Sequence, residues 1–357
     1  MTDVIGADAH KRVFHTLDGM RGIAAVAVLL RHIPLTARWS IPGSYLAVDL
    51  FFALSGFVLA YSNHHRLVSA SAGRWFMLQR LVRLYPLYIL GTLLCLALRP
   101  DLGLGAAVPL ALVFLPGPSA AGKANLGALY PYNPPAWSLL YELIANLAYA
   151  FLARLLSMRV LIAILVVSGV VLVGECFHRG SLDLGSDYAT KAGGVIRVTF
   201  SFFAGVMVFR LWKAGWRVPK LPALLVALAP VALFLVPGSR RLVDPVEVIA
   251  IFPLLILAGA SNDPAGATSR RLLVFSGEIS YPLYVLQAAL LLAGGRLAPW
   301  ALGEGAGRTA TPAVLAFILV AIAVSWLAYR FYDAPVRGYL RDLLKRKRPY
   351  PAGLGAR

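Results

Sequence analysis

The sequence predicts an all-α fold: a polytopic integral membrane bundle of about ten transmembrane helices, with one further re-entrant or surface segment. Three observations lead there. The 357 residues are 59% hydrophobic and only 14% charged, with a mean hydropathy of +0.73, outside the range of water-soluble globular domains. Apolar runs long enough to cross a hydrocarbon core of about 30 Å recur along nearly the whole length. Most Lys and Arg residues stand at the ends of those runs, where cytoplasmic loops concentrate them.

In chain order the predicted spans centre near residues 17–34, 44–62, 76–98, 136–156, 160–178, 194–212, 221–237, 245–261, 279–297 and 311–331. The first holds Arg21, Arg31 and His32 and has no small-residue cleavage site, so it reads as a retained span and not as a signal peptide. The run 102–116 is apolar but contains Gly103, Gly105, Pro109 and Pro116 and is barely long enough to cross. Treated as a dip or surface segment, it leaves Arg154, Arg159, Arg210, Lys213, Arg217 and Lys220 on the same side as Lys11 and Arg12. Treated as a span, it divides them. The positive-inside rule therefore favours ten spans with both termini cytoplasmic.

The net charge of +18 follows the same logic. The charges sit at helix ends and in the tail Lys345-Arg346-Lys347-Arg348, where anionic membrane lipids attract them, so no nucleic-acid partner is implied. Cys95 and Cys176 fall inside apolar runs without metal-ligand spacing and read as packing residues; no metal is expected. Gly-x-Ser-x-Gly, His-Glu-x-x-His and phosphate-loop motifs do not occur, which removes serine-hydrolase, zincin and nucleotide-loop chemistry.

Ionisable residues inside the spans carry the functional signal. Arg21 and His32 are eleven residues apart, close to three full turns, and so share a helix face about 16 Å apart. A charged group at membrane depth costs about 2.5–3.5 kcal/mol on insertion scales and normally lines an interior or watery space. Asp49, at the start of the second span, and Glu142, about two turns into the fourth, fall by this topology in the same outer layer as His32. A carboxylate that holds one imidazole nitrogen fixes the tautomer and leaves the other nitrogen to deprotonate a hydroxyl. Arg80 and Arg83 are neighbours on one helix face and offer two guanidinium forks to a phosphate-bearing ligand, although anchoring at the cytoplasmic face explains most such arginines. Ser55, before Gly56, reads as a small packing residue. On composition and topology alone, a proton-coupled exporter of a glycan or small anion fits as well as an enzyme.

The motifs separate the two. Arg21-x10-His32, Asp49-Leu-Phe-Phe-Ala-Leu-Ser-Gly56, Arg80-x-x-Arg83 with Leu-Tyr-Pro after it, Pro135-Ala-Trp-Ser-Leu139 with Glu142, Ile279-Ser-Tyr-Pro-Leu-Tyr284 and Asp333-Ala-Pro335 occur in this order from about residue 15 to 336. In this the chain resembles the acyltransferase 3 family, membrane enzymes that acylate hydroxyls, chiefly of carbohydrates. The resemblance implies a membrane-embedded acyltransferase domain over 1–336, followed by a basic cytoplasmic tail over 337–357, in a bacterial inner membrane. It implies His32 as general base, with Asp49 or Glu142 as its partner or a second acid. Arg21, Arg80, Arg83 and Tyr281 would hold an acyl-CoA donor, acetyl-CoA by default, and a sugar or glycosylated small molecule would accept the acyl group. Two departures stand out: Gln287 occupies a position where many members have histidine, and no hydrolase-like domain is appended in this sequence, so direct transfer to the acceptor is expected.

Overall fold

The computed structural model describes residues 12–33, 41–64, 67, 69–99, 105, 107–117, 127–297 and 311–346. Each of the ten predicted segments coincides with a helix. These are α1 (His15–His32), α2 (Ala47–Asn63, preceded by a 3-10 turn Ser44–Leu46), α3 (Ala70–Leu98), α5 (Ala136–Leu152), α6 (Met158–Arg179), α7 (Lys191–Lys213) and α8 (Ala223–Phe234). A composite rod follows, in which α9 (Arg240–Val246) passes through a π-helical turn (Glu247–Ile251) into α10 (Phe252–Ser261). Then come α11 (Ala267–Leu297) and a last rod, in which α12 (Thr311–Ala328) runs through a second π turn (Tyr329–Asp333) into α13 (Ala334–Arg346).

Six stretches are long and apolar enough on their own to cross a membrane: Ser44–Asn63, Ser71–Leu98, Met158–Arg179, Lys191–Lys213, Arg240–Ser261 and Pro312–Arg346. Helices α5 and α8 are shorter apolar helices. The described part of the run 102–116 forms only α4 (Ala107–Leu112), six residues or about 9 Å, which is far short of a crossing. The predicted basic tail continues the last rod through α13, which packs on α3; its residues beyond 346, and loop residues 118–126, lie outside the described ones.

Local chemistry explains the helix limits. Ser69 and Ser157 cap α3 and α6, accepting from the amides of Ala72 (3.1 Å) and Val160 (3.2 Å), and Gly180 ends α6 in the left-handed region at φ 94°. Pro86 sits inside α3, where it removes one backbone donor. The neighbouring carbonyls are engaged from other elements: Tyr281 donates to the Leu84 oxygen and Tyr332 to the Pro86 oxygen, the latter at 3.1 Å. These hydroxyls tie α3 to α11 and to the last rod.

In lipid, helices associate by close packing and polar contacts, not by hiding apolar surface from water. Accordingly α2 and α7 form the centre, 78% and 72% buried over their apolar windows, whereas α6 and the last rod are 22% and 17% buried and face outward. Two pairs of helices cross closely at glycine. A β-carbon at Gly205 of α7 would fall on the carbonyl oxygen of Ala53, and one at Gly56 of α2 on that of Phe202. At the α1/α11 crossing, a β-carbon at Gly22 would fall on backbone atoms of Ser276. Backbone atoms cannot yield as a flexible side chain can.

Gly205→Ala is therefore expected to lower the thermal unfolding temperature of the detergent-solubilised protein, by an overpacking cost of about 1–3 kcal/mol or more. Gly174→Ala, on the open face of α6 with nothing within 4 Å, should leave it unchanged or slightly higher.

Candidate active site

Polar side chains gather in two places. The first is a cleft between α1, α2, α3, α5 and α11. Its lining includes Arg21, Ser55, Arg80, Arg83, Glu142, Ser280, Tyr281 and Tyr284, set among Phe51, Phe52, Leu84 and Leu139. Arg80 of α3 pairs with Glu142 of α5 at 2.5 Å, and the Ser55 hydroxyl of α2 donates to the same carboxylate oxygen at 2.8 Å. Arg83, one turn on, lines the same cleft with other partners: it lies 3.6 Å from the carboxylate of Asp333 and stacks over the Tyr281 ring at 5.1 Å. Arg21 pairs with Asp18 on its own helix.

The second place is the end of the bundle that carries His32. Here Arg197 of α7 and Asp49 of α2 form an ion pair that is almost completely buried. Arg197 donates from Nε to both oxygens of Asp49 (3.3 and 3.1 Å) and from Nη2 to Oδ2 at 2.6 Å; the Ser201 hydroxyl donates to Oδ1 at 3.2 Å. The same guanidinium donates to the backbone oxygens of Leu184 (2.5 Å) and Tyr45 (3.0 Å) and lies over the Trp137 ring at 5.6 Å. Buried Asp244 accepts from the Tyr45 hydroxyl (2.6 Å) and the Leu182 amide (2.8 Å) and pairs with Arg240 at 2.5 Å. Leu182 and Leu184 are thus both anchored, and Asp183 between them reaches Arg31 of α1 at 2.5 Å.

His32, the last residue of α1, is exposed, and its Nδ1 lies 2.8 Å from the Val28 carbonyl oxygen. A carbonyl only accepts, so Nδ1 carries the proton and, in the neutral ring, Nε2 is the free basic nitrogen.

The cleft therefore brings together Arg21, Arg80, Arg83, Glu142 and Tyr281. It does not include His32 or Asp49 in its lining. Two expected pairings change. Asp49 does not serve His32: both its oxygens are taken by Arg197 and Ser201, because a fully buried carboxylate requires a countercharge at contact distance. Glu142, expected in a layer with His32, meets Arg80 instead, and the backbone carbonyl of Val28 orients the imidazole. Gln287 is buried, donates to the Tyr284 oxygen at 2.9 Å, and its own Oε1 has no partner among the described residues. Sequence reading missed Arg197, Asp183 and Asp244. A signal for Arg197 was present, since an arginine inside the predicted span 194–212, at the end opposite the basic loops, is not a membrane anchor.

The family model described as an acyltransferase domain, that of the acyltransferase 3 family, matches residues 14–330. The chain belongs to this family and is a membrane-embedded transferase. That displaces the exporter reading. Among curated proteins it is similar to Acyltransferase MdmB of Streptomyces mycarofaciens, 27% identical over 94% of this chain and 93% of that protein. It is also similar to Protein 2 in picA locus of Rhizobium radiobacter, 39% identical over 45% of this chain and 93% of that protein. No solved structure matches.

Removing one partner of a buried ion pair strands the other, at a cost of about 3–5 kcal/mol. Asp49→Ala and Arg197→Met should each sharply lower the thermal stability of the solubilised protein, and the double variant should lose less than the two single losses combined, as read by a double-mutant cycle.

Proposed function

We propose that this acyltransferase moves an acyl group, acetyl by default, from acyl-CoA to a hydroxyl of a carbohydrate or glycosylated acceptor. The observation that carries the donor assignment is the cleft: three arginines converge in an otherwise largely apolar space, a lining suited to a phosphate-bearing molecule with a long, weakly polar arm. On this reading Arg21, Arg80, Arg83 and Tyr281 hold the donor. The same reading places the cleft on the cytoplasmic side, the source of coenzyme A, with both termini on that side of a bacterial inner membrane, as the positive-inside rule favours.

His32 Nε2 removes the proton from the acceptor hydroxyl. The alkoxide oxygen bonds to the thioester carbon, the carbon–sulfur bond breaks, and the coenzyme A thiolate leaves and is protonated. The fixed Nδ1–H donor to Val28 supports this assignment, since it presents the basic nitrogen outward. Holding donor and acceptor together supplies much of the acceleration. Glu142, held by Arg80 and Ser55, supplies a fixed negative charge in the cleft and not a base for His32.

Membranes carrying the wild type or His32→Ala, incubated with radiolabelled acetyl-CoA and host glycans, provide the experiment. Loss of a general base costs about 10²–10⁴-fold, so both thiol release and labelled product should vanish in the variant. Equal rates would remove His32 as the base. Ser55→Ala, which deletes one hydrogen bond of ordinary strength, should keep transfer within about tenfold. Loss of all transfer in that variant, with a labelled covalent adduct on the wild-type protein, would instead make Ser55 an acyl carrier.

A further inference from the structure

Two hydroxyls in the cleft have no role in holding the acyl donor or in taking the acceptor's proton. Ser138 of α5 and Tyr284 of α11 both line it, and both are almost fully buried. Ser138 stands four residues before Glu142, the partner of Arg80, and Tyr284 three after Tyr281, whose ring Arg83 covers. Each is therefore one helical turn, roughly 5 Å, from the arginine end of the cleft. Their neighbours give the direction. Val48, also in the lining, precedes Asp49, and Trp137, whose ring lies under Arg197, precedes Ser138. The Tyr284 ring meets Phe51 edge-on at 5.5 Å, and Phe51 packs against the buried cluster that includes Leu29 and Ile33, which bracket His32 in the chain. The hydroxyl pair thus marks the side of the cleft that faces the His32 end of the bundle.

The two hydroxyl oxygens lie 2.6 Å apart, and Ser138 Oγ also lies 3.2 Å from the Pro135 carbonyl oxygen. Two protons serve this row of three oxygens. When Ser138 donates to Pro135, the phenol donates to Ser138 and both protons are used. When Ser138 donates to the phenol instead, only the longer bond is given up, and the Tyr284 proton is free to turn into the cleft. We propose that Tyr284 is a catalytic residue that donates a hydrogen bond to the thioester carbonyl oxygen, with Ser138 as its positioning residue. This rests on acyl-CoA occupying the cleft with its thioester toward His32. As the acceptor oxygen bonds to the thioester carbon, the carbonyl π pair moves onto oxygen, and the Tyr284 O–H binds that negative charge without giving up its proton. The carbonyl re-forms as the carbon–sulfur bond breaks and its electron pair leaves with sulfur. A donor already oriented in a largely apolar cleft stabilises such a charge more than the same donor in water.

Tyr284→Phe keeps the ring and its contact with Phe51 and deletes only the hydroxyl. Loss of one oxyanion donor costs about 10²–10³-fold, so kcat with acetyl-CoA in membranes should fall by that factor while KM for acetyl-CoA changes little. Ser138→Ala removes one ordinary hydrogen bond and leaves the phenol proton to the cleft, so kcat should fall by less than about tenfold. With acetyl-CoA isotopically labelled at the thioester carbonyl and bound to the solubilised full chain, difference infrared spectroscopy should place the carbonyl band lower in the wild type than in Tyr284→Phe. A kcat in Tyr284→Phe within about tenfold of the wild type overturns the proposal. So does a carbonyl band at the same position in both proteins. Equal losses in Tyr284→Phe and Ser138→Ala overturn it as well, and leave the pair as a structural contact between α5 and α11. A wild type that neither turns over acetyl-CoA nor is stabilised against unfolding by coenzyme A refutes the acyl-CoA reading itself, an outcome distinct from the others.

Discussion

Arg197 holds the His32 end of the bundle in place because a guanidinium taken fully out of water must find acceptors for its donors. It reaches both oxygens of Asp49, the backbone of Tyr45 and the backbone of Leu184. These contacts join α7 to the start of α2 and to the loop after α6. The close α2/α7 crossing at Gly56 and Gly205 brings the two helices near enough for that reach. With Leu184 held from one side and Leu182 from the other by Asp244, Asp183 is presented to Arg31, the residue before His32. The position of the exposed imidazole thus traces back through three ion pairs to the centre of the bundle.

The same constraint shapes the cleft with a different outcome. Each arginine there is held by a carboxylate, and each pair joins particular elements: Arg80 to α5, Arg83 to the last rod, Arg21 to its own helix. Such pairs keep long, flexible side chains in fixed directions before any ligand arrives, which reduces what binding must spend on ordering them. An anionic ligand then meets guanidinium groups already oriented. The π turn at Tyr329–Asp333 supports this arrangement, since it lies where the last rod sets Asp333 against α3. Helical irregularities of this kind concentrate at functional positions.

Much of the fold was legible in the sequence because apolar length and the placement of basic residues are strong signals in a membrane chain. All ten segments coincide with helices, and the described part of the Gly- and Pro-containing run 102–116 holds only the short α4. The π turns were not legible, because a single extra residue per turn leaves the apolar pattern almost unchanged. For the site, residue type and spacing singled out Arg21, Arg80, Arg83, Glu142 and Tyr281, which the cleft gathers. What failed was pairing. Depth along a helix, counted from a predicted loop, placed Glu142 with His32 and apart from Arg80. In the structure α3 runs from Ala70 and sets Arg80 against Glu142 of α5 instead. Asp49 meets Arg197 and not His32, because a carboxylate this deeply buried takes a guanidinium at contact distance as its countercharge.

The account depends most on the cleft being a coenzyme A site, and direct binding tests that before any acceptor is known. Thermal unfolding of the solubilised full chain would be followed with and without coenzyme A, for the wild type and for Arg83→Gln. The account predicts a concentration-dependent rise in the unfolding temperature of the wild type that is much reduced in the variant. No rise in the wild type at millimolar coenzyme A, or the same rise in both proteins, would contradict it.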